Sequence, residues 1–372
     1  MKTLYLHIGT PKTGTTSIQE FMVCNREALQ QHGICYPDIQ KKFANISPNR
    51  NGHFLVCRLW EGDQRNKTKE KETLEKGMQI IKEAFEKYDT VVLSDEHLWW
   101  ATSSHRKGLW KYLKNQAASG KFQIKIICYL RRQDDYISSH WNQFVKNNVN
   151  HSGWEEHVER FLENGVERMD YAEKLESLIQ TFGEGNVVIR RFVPKEFYGG
   201  SIYKDFMYAL GAEWYEEYQL PEENDNNRAL KGNTFELKRI INELPGINEQ
   251  EVRQIGHLLK DFSELSGSEY KSRMFSEEER NAFMERFAEG NEKVAKEMIK
   301  DGKPLFPEED STLEKWDSQN PYMYRDLVRF IGMVYLELER RECELEKRVK
   351  QLETRGGIVK KVYHKIGRKL HK

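Results

Sequence analysis

Residues 4–18 read Leu4-Tyr5-Leu6-His7-Ile8-Gly9-Thr10-Pro11-Lys12-Thr13-Gly14-Thr15-Thr16-Ser17-Ile18. An alternating apolar run stops at Gly9, which predicts a strand. A short loop with Pro11, Lys12 and Gly14 follows. Thr15, Thr16 and Ser17 then open a predicted helix carrying Ile18, Phe21 and Met22. A strand–loop–helix turn gathers free main-chain N–H groups and the positive end of a helix dipole at one point. Lys12 adds a full positive charge, and the threonines add hydroxyl donors. Such a turn is built to cradle a phosphate or a sulfate.

Spacing separates two kinds of cradle. A Walker A loop places its lysine directly after the second glycine. Here Lys12 comes before Gly14, so the P-loop kinase pattern fails. The order Gly9, Lys12, Thr13, Gly14, Thr15, Thr16 instead resembles the 5′-phosphosulfate loop of sulfotransferases that use 3′-phosphoadenosine 5′-phosphosulfate, PAPS. The resemblance implies that Gly9, Thr10, Pro11, Lys12, Thr13, Gly14, Thr15 and Thr16 hold the cofactor. PAPS would be the donor, and 3′,5′-ADP the product.

A second stretch extends the likeness. Residues 122–130, Phe-Gln-Ile-Lys-Ile-Ile-Cys-Tyr-Leu, read as a buried strand. Arg131 and Arg132 follow at once, and residues 133–147 have helical periodicity. The 3′-phosphate site of these sulfotransferases resembles this segment: a strand, an arginine at its end and a serine eight residues later. Arg131 and Ser139 match that spacing. Arginine suits the task because its planar fork grips two phosphate oxygens. The family often has proline two residues after the arginine; this chain has Gln133.

The pattern around these motifs predicts an α/β fold with a P-loop-like parallel sheet flanked by helices. Strands are expected at Ile34–Tyr36, Thr90–Ser94 and Val187–Arg191, separated by helices, which implies right-handed crossovers. Ligands of such sheets bind at the carboxyl ends of the strands, where both phosphate motifs fall. A helix is expected from His53 to Trp60, an exposed loop over 61–71 and an amphipathic helix from Leu74 to Tyr88. Beyond residue 215 the pattern turns helical. The chain divides into an α/β core (1–215), a helical extension (216–318), a long charged helix with coiled-coil character (319–354) and a basic amphipathic tail (355–372).

Sulfuryl transfer needs a base for the acceptor hydroxyl. The strand Thr90–Ser94 runs into Asp95, Glu96 and His97. Sulfotransferases resembling this chain use a glutamate or histidine near such a strand end, so the order of preference is Glu96, then His97, then His53. Lys12 is the other catalytic candidate, placed to neutralise charge on the leaving phosphate. His7, inside the first strand, reads as a packed core residue. No histidine pair has H-x-x-x-H spacing, so no metal is expected. Asp134 and Asp135 read as first-turn acids of the following helix. Trp99 and Trp100 are candidates for stacking on a sugar.

Acidic and basic residues balance at 59 each, which gives no global field for nucleic acid. The N-terminus lacks the features of a secretory leader, and no apolar run is long enough to span a bilayer. Five cysteines without a C-x-x-C pair suit reduced thiols in the cytoplasm. From Ile331, the residues Val334, Leu338, Leu345 and Leu352 suggest a coiled coil with Arg341 and Arg348 on its seam, broken at Gly356-Gly357. Six Lys and Arg in residues 358–372 suit peripheral contact with an anionic membrane at its inner face. The expected activity is transfer of a sulfuryl group to a hydroxyl of a glycan or glycolipid, with a homo-oligomer formed through the C-terminal helix. The competing reading is a nucleotide-binding kinase or interaction module without sulfuryl chemistry.

Overall fold

The strand that ends at the Gly9 loop, β1 (Thr3–His7), is buried at every residue. After it come α1 (Thr15–Cys24), α2 (Arg26–Gln31), β2 (Ile34–Cys35), β3 (Trp60–Glu61), β4 (Gln64–Arg65), α3 (Lys67–Lys87), β5 (Thr90–Ser94), α4 (His97–Trp100), α5 (Lys107–Gly120), β6 (Gln123–Leu130) and α6 (Gln133–Asn147). Then follow α7 (Trp154–Asn164), α8 (Val166–Met169), α9 (Tyr171–Phe182), β7 (Val187–Arg191), α10 (Ile202–Ala209), α11 (Thr234–Ile241) and α12 (Glu249–Glu269). The last elements are α13 (Glu277–Glu285), α14 (Ala288–Lys293), a π-helical turn (Val294–Ile299) and α15 (Met323–Leu370). This computed structural model describes residues 1–39, 41–101, 107–147, 151–222, 229–308 and 312–370; the side chains of 107, 167, 168, 249 and 353–370 are outside the description.

The main sheet has the order β2-β5-β1-β6-β7, and every pairing is parallel. β1 is central. Its His7 stands opposite Ser94 of β5 and Ile127 of β6, so the carboxyl ends of the three strands emerge on one edge. Alternation along the strands supplies both faces of the sheet. Tyr5, Val92, Ile127 and Tyr129 join Ile18, Phe21 and Met22 of α1 and Phe206 and Met207 of α10 in one core cluster. On the other side α3 packs on β5, α5 on β6, and α9 on β6 and β7. The fold is therefore α/β, a parallel sheet flanked by helices and followed by a helical region.

Two compact units make up the chain. One comprises Met1–Trp141, Gly153–Arg228 and Met274–Thr312; the other comprises Asn142–Ser152, Ala229–Arg273 and Leu313–Lys372. The first holds the sheet. In the second, α11 and α15 each pack against α12. The helical segment 216–318 contributes to both.

Three local expectations need correction. Residues His53–Leu55 form only a 3-10 turn, and Trp60 enters the β3–β4 hairpin. The polar stretch after it begins α3 at Lys67, seven residues before Leu74, because the Asn66 side chain accepts from the Lys69 N–H at 2.9 Å and caps the helix. The pair Gly356-Gly357 does not break α15, whose backbone stays helical to Leu370. Each glycine costs about 1 kcal/mol relative to alanine but keeps its N–H, so it weakens a helix without ending it. The side chains of the basic tail lie outside the described residues. Ser276 and Glu279 form a capping box at the start of α13, and Asp134 and Asp135 fall in the first turn of α6 as expected.

Candidate functional site

The chain from His7 into the Gly9–Gly14 loop is hydrogen-bonded to β6 on one side and to the residue after β5 on the other. Tyr129 N–H donates to the Gly9 carbonyl at 2.6 Å, and Thr10 N–H donates to the Tyr129 carbonyl at 2.8 Å. On the other side, Asp95 N–H donates to the His7 carbonyl at 3.0 Å. The threonine hydroxyls divide between two tasks. Thr10 Oγ1 donates to the Tyr129 carbonyl and Thr13 Oγ1 to the Thr10 carbonyl, so both hold the loop itself. Thr15 Oγ1 is buried without a hydrogen-bond partner, and Thr16 is exposed.

Gly14 caps α1 in the left-handed conformation, at φ 71°. A Cβ there would meet Ile202 Cδ1 at 2.5 Å, so the position excludes other residues twice over. The first bond of α1 runs from Ile18 N–H to the Gly14 carbonyl. The N–H groups of Thr15, Thr16 and Ser17 precede it, and no side chain caps them. They are the donors that an anion would take.

Arg131 locks the loop from β6. Its Nη1 donates to the Lys12 carbonyl at 2.9 Å, and its guanidinium lies 5.6 Å from the Phe192 ring centroid. Tyr171 donates its hydroxyl proton to the Arg131 carbonyl at 2.5 Å and fixes the strand end. Arg131 Nε is buried and unpartnered. Burial pushes Lys12 down to about 8, the Arg131 charge pushes the same way, and Glu96 opposes both. Two cations share one buried corner, an arrangement that a bound anion would relieve. The unpartnered Thr15 hydroxyl and Arg131 Nε fit a phosphate or sulfate group.

Glu96 faces this corner from β5. A Cβ on Gly9 would lie 3.1 Å from Glu96 Cβ, so only a glycine lets the loop pass this close. Burial raises the Glu96 carboxyl above the ordinary range, against the pull of Arg50. Arg50 Nη1 lies 3.0 Å from Glu96 Oε1, while Oε2 is buried without a partner. Arg50 also forks onto Asp95, with Nε 3.0 Å from Oδ2 and Nη2 2.8 Å from Oδ1. Asp95 further pairs with His53 Nδ1 at 3.1 Å and accepts from the His97 N–H at 2.7 Å. Burial would raise the Asp95 carboxyl, but these bonds outweigh it and hold it low. His53, Asp95 and His97 offer ligand atoms within 4.8 Å of one another. Both Asp95 oxygens are already engaged, and a cation there would have to displace Arg50.

Arg131 thus bonds the Lys12 carbonyl, the Glu96 charge acts on Lys12, and Arg50 and Asp95 link Glu96 to His53 and His97. Pro11 is half-buried within the loop. Ser139 is outside this network; it lies half-buried in the second turn of α6. His7 is fully buried and bonds Ser94 Oγ through Nδ1 at 2.9 Å; burial pushes it down to about 3, so it stays neutral. Trp99 is fully buried with its edge against Tyr171, which removes it as a sugar platform, whereas Trp100 is half-buried. Arg50 and Tyr171 escaped the sequence reading. Arg50 sits in the turn Asn49-Arg50-Asn51-Gly52, and no spacing rule ties that turn to β5.

A cleft of about 1020 Å³ opens beside Arg132, lined by residues of α13, α14 and the 302–308 segment. Arg191 at the end of β7 pins that segment by forking onto Asp301 and donating through Nε to the Leu305 carbonyl at 2.9 Å. Among the described residues no helix is long and apolar enough to cross a membrane.

No family model matches the chain. A protein of Archaeoglobus fulgidus described as uncharacterized is 34% identical over 175 residues, 46% of this chain; the match spans 45% of that protein's length. Among solved structures, a sulfotransferase from Alicyclobacillus acidocaldarius aligns over 61% of this chain and 88% of its own, with 16% identity and a TM-score of 0.36.

Proposed function

We propose that the chain is a sulfotransferase that moves the sulfuryl group of PAPS to a hydroxyl of a glycan or glycolipid. The observation that carries this reading is the corner where Arg131 grips the Lys12 carbonyl while the Glu96 charge acts on Lys12. The Gly9–Thr16 loop would hold the 5′-phosphosulfate through the α1 N–H groups and Lys12. Arg131 and Ser139 would take the 3′-phosphate. The cleft beside Arg132 falls in the size range of small-molecule sites and would take the rest of a ligand.

Glu96 Oε2 would accept the acceptor's hydroxyl proton as that oxygen bonds to sulfur. The bond between sulfur and the phosphate oxygen breaks, and Lys12 would stabilise the charge left on 3′,5′-ADP. Burial raises the Glu96 pKa, which makes its carboxylate a stronger base for the acceptor's proton. Arg50 would keep its other oxygen fixed.

The test is a thermal-shift panel with 3′,5′-ADP, 5′-AMP, ADP and ATP, followed by transfer from labelled PAPS to candidate glycans. A ligand at a hundred times its Kd adds about 2.7 kcal/mol of stability. The reading expects 3′,5′-ADP to give the largest shift. A largest shift with ATP would favour a kinase or a nucleotide-binding module instead.

A further inference from the structure

We propose that α15 joins two copies of this chain in a parallel, in-register, two-stranded coiled coil. The helix has two opposed faces. One is occupied within its own unit: Phe330 packs on Phe262 of α12 with ring centroids 5.9 Å apart, and Asp326 accepts from Ser266 Oγ at 2.6 Å and Asn233 Nδ2 at 2.8 Å. The other carries Tyr324, Val328, Ile331, Tyr335, Leu338, Glu342, Leu345, Val349 and Leu352, at strictly alternating steps of four and three. All the hydrophobic members are exposed, from 50% at Val328 to 78% at Tyr324.

Steps of four and three are the a/d seam of a left-handed coiled coil. Val328, Tyr335, Glu342 and Val349 take the a positions, and Tyr324, Ile331, Leu338, Leu345 and Leu352 the d positions. This register moves Arg341 and Arg348 off the seam, where the sequence reading had them, to the flanking g positions. The described seam runs four heptads, about 43 Å at 1.5 Å per residue. That length meets the usual requirement for a coiled coil.

Charge selects the occupant and its direction. The g positions hold Arg341 and Arg348, and the e positions hold Glu339 and Glu346. In a parallel pair, g of one helix faces e of the next heptad on the other, so Arg341 meets Glu346 of the second copy. The sequence repeats the relation with Arg348 and Glu353. An antiparallel pair would set arginine against arginine and glutamate against glutamate. Leucine at d with valine at two a positions favours two strands over three or four. Glu342 at an a position costs stability, as a buried polar group there does.

Sedimentation equilibrium of the full chain at micromolar concentration tests this. A dimer is expected, and Leu338→Lys with Leu345→Lys should give a monomer of unchanged helix content. Arg341→Glu with Arg348→Glu should weaken the dimer about tenfold, since attraction becomes repulsion at each pair. Mixing that variant with Glu346→Arg/Glu353→Arg should restore association. Glu342→Leu should tighten it. Leu345→Cys, in a background with Cys24 and Cys343 replaced by serine, should cross-link on oxidation. A monomeric wild type, a trimer or tetramer, a dimer indifferent to the seam lysines, or a Leu345→Cys variant that fails to cross-link would each overturn the proposal. So would a monomer that sediments with anionic vesicles through the same seam.

Discussion

The Arg131 guanidinium donates to the main-chain carbonyl of Lys12 over 2.9 Å, and so ties the end of β6 to the loop after β1. A side chain that reads as a ligand grip in the sequence thus also holds the loop that presents Lys12. Lys12 and Arg131, more than a hundred residues apart in the chain, meet in one corner, while Ser139 stays outside it. This follows from the parallel pairing of β1 with β6, which brings their carboxyl ends out together.

Lys12 gives the first prediction. Lys12→Ala should lower kcat by about two to three powers of ten while 3′,5′-ADP affinity changes less, because its charge matters most as the phosphate leaves. The pH profile carries a second signature. Under the proposed mechanism the free protein must have Lys12 protonated and Glu96 ionised. As pH rises, kcat/KM should climb while Glu96 loses its proton, above the ordinary carboxylate range, and fall beyond about 8 as Lys12 loses its own. A profile flat through that alkaline limb would remove Lys12 from the chemistry.

Arg131→Ala should erase the preference for 3′,5′-ADP over 5′-AMP. It should also destabilise the free protein by about 1 kcal/mol, because the half-buried Lys12 carbonyl loses a charged donor. Arg131→Lys should recover part of the stability but little of the preference, since a point charge cannot reproduce the fork. Calorimetric titration with the two nucleotides separates these effects. Wild-type protein that binds both equally would exclude Arg131 from a 3′-phosphate site.

Gly14→Ala tests the geometry of the loop. A left-handed backbone costs a side chain about 1–2 kcal/mol. Ile202 Cδ1, at 2.5 Å from the new methyl group, adds an overpacking cost of about 1–3 kcal/mol. Gly62→Ala supplies the control: φ is again positive, at 57°, with nothing within 4 Å of the new methyl group. Gly14→Ala should therefore lower the melting temperature well beyond Gly62→Ala. Equal shifts would show that the contact with Ile202 costs nothing.

Much of this architecture was legible from residue types. β5 and β7 fall where alternation and turn residues put them, and α6 begins right after Arg131-Arg132, because local pattern decides buried strands and strongly periodic helices. The 53–60 segment misled because its apolar residues have helical spacing, while pairing of Trp60 with Arg65 captures the end. Asp95 stood in plain view between Ser94 and Glu96. Its role did not, because it comes from Arg50 and His53, brought in by a turn some forty residues away. The α15 repeat was visible, but the sequence put Val334, Arg341 and Arg348 on its seam; exposure of one face and packing of Phe330 on the other are what move the proposed seam to Ile331, Tyr335 and Glu342.

The base is the sharpest remaining question, and three substitutions answer it. Glu96→Gln keeps the side chain's shape and its neighbours but cannot take a proton. With Glu96 as the base, transfer should fall by about two to four powers of ten while 3′,5′-ADP still binds. His53 presents the competing arrangement, since Asp95 holds its Nδ1 and leaves Nε2 to accept. His53→Asn should then cost little if Glu96 is the base, and as much as Glu96→Gln if it is not. His97→Ala tests the remaining candidate, whose ring centroid lies 5.5 Å from that of His53: a loss as large as that of Glu96→Gln would assign the base to His97. The pH profile adds an independent readout: in Glu96→Gln the acid limb assigned to Glu96 should vanish and the alkaline limb near 8 remain. An acid limb that persists in Glu96→Gln and disappears in His53→Asn would transfer the role of base to His53.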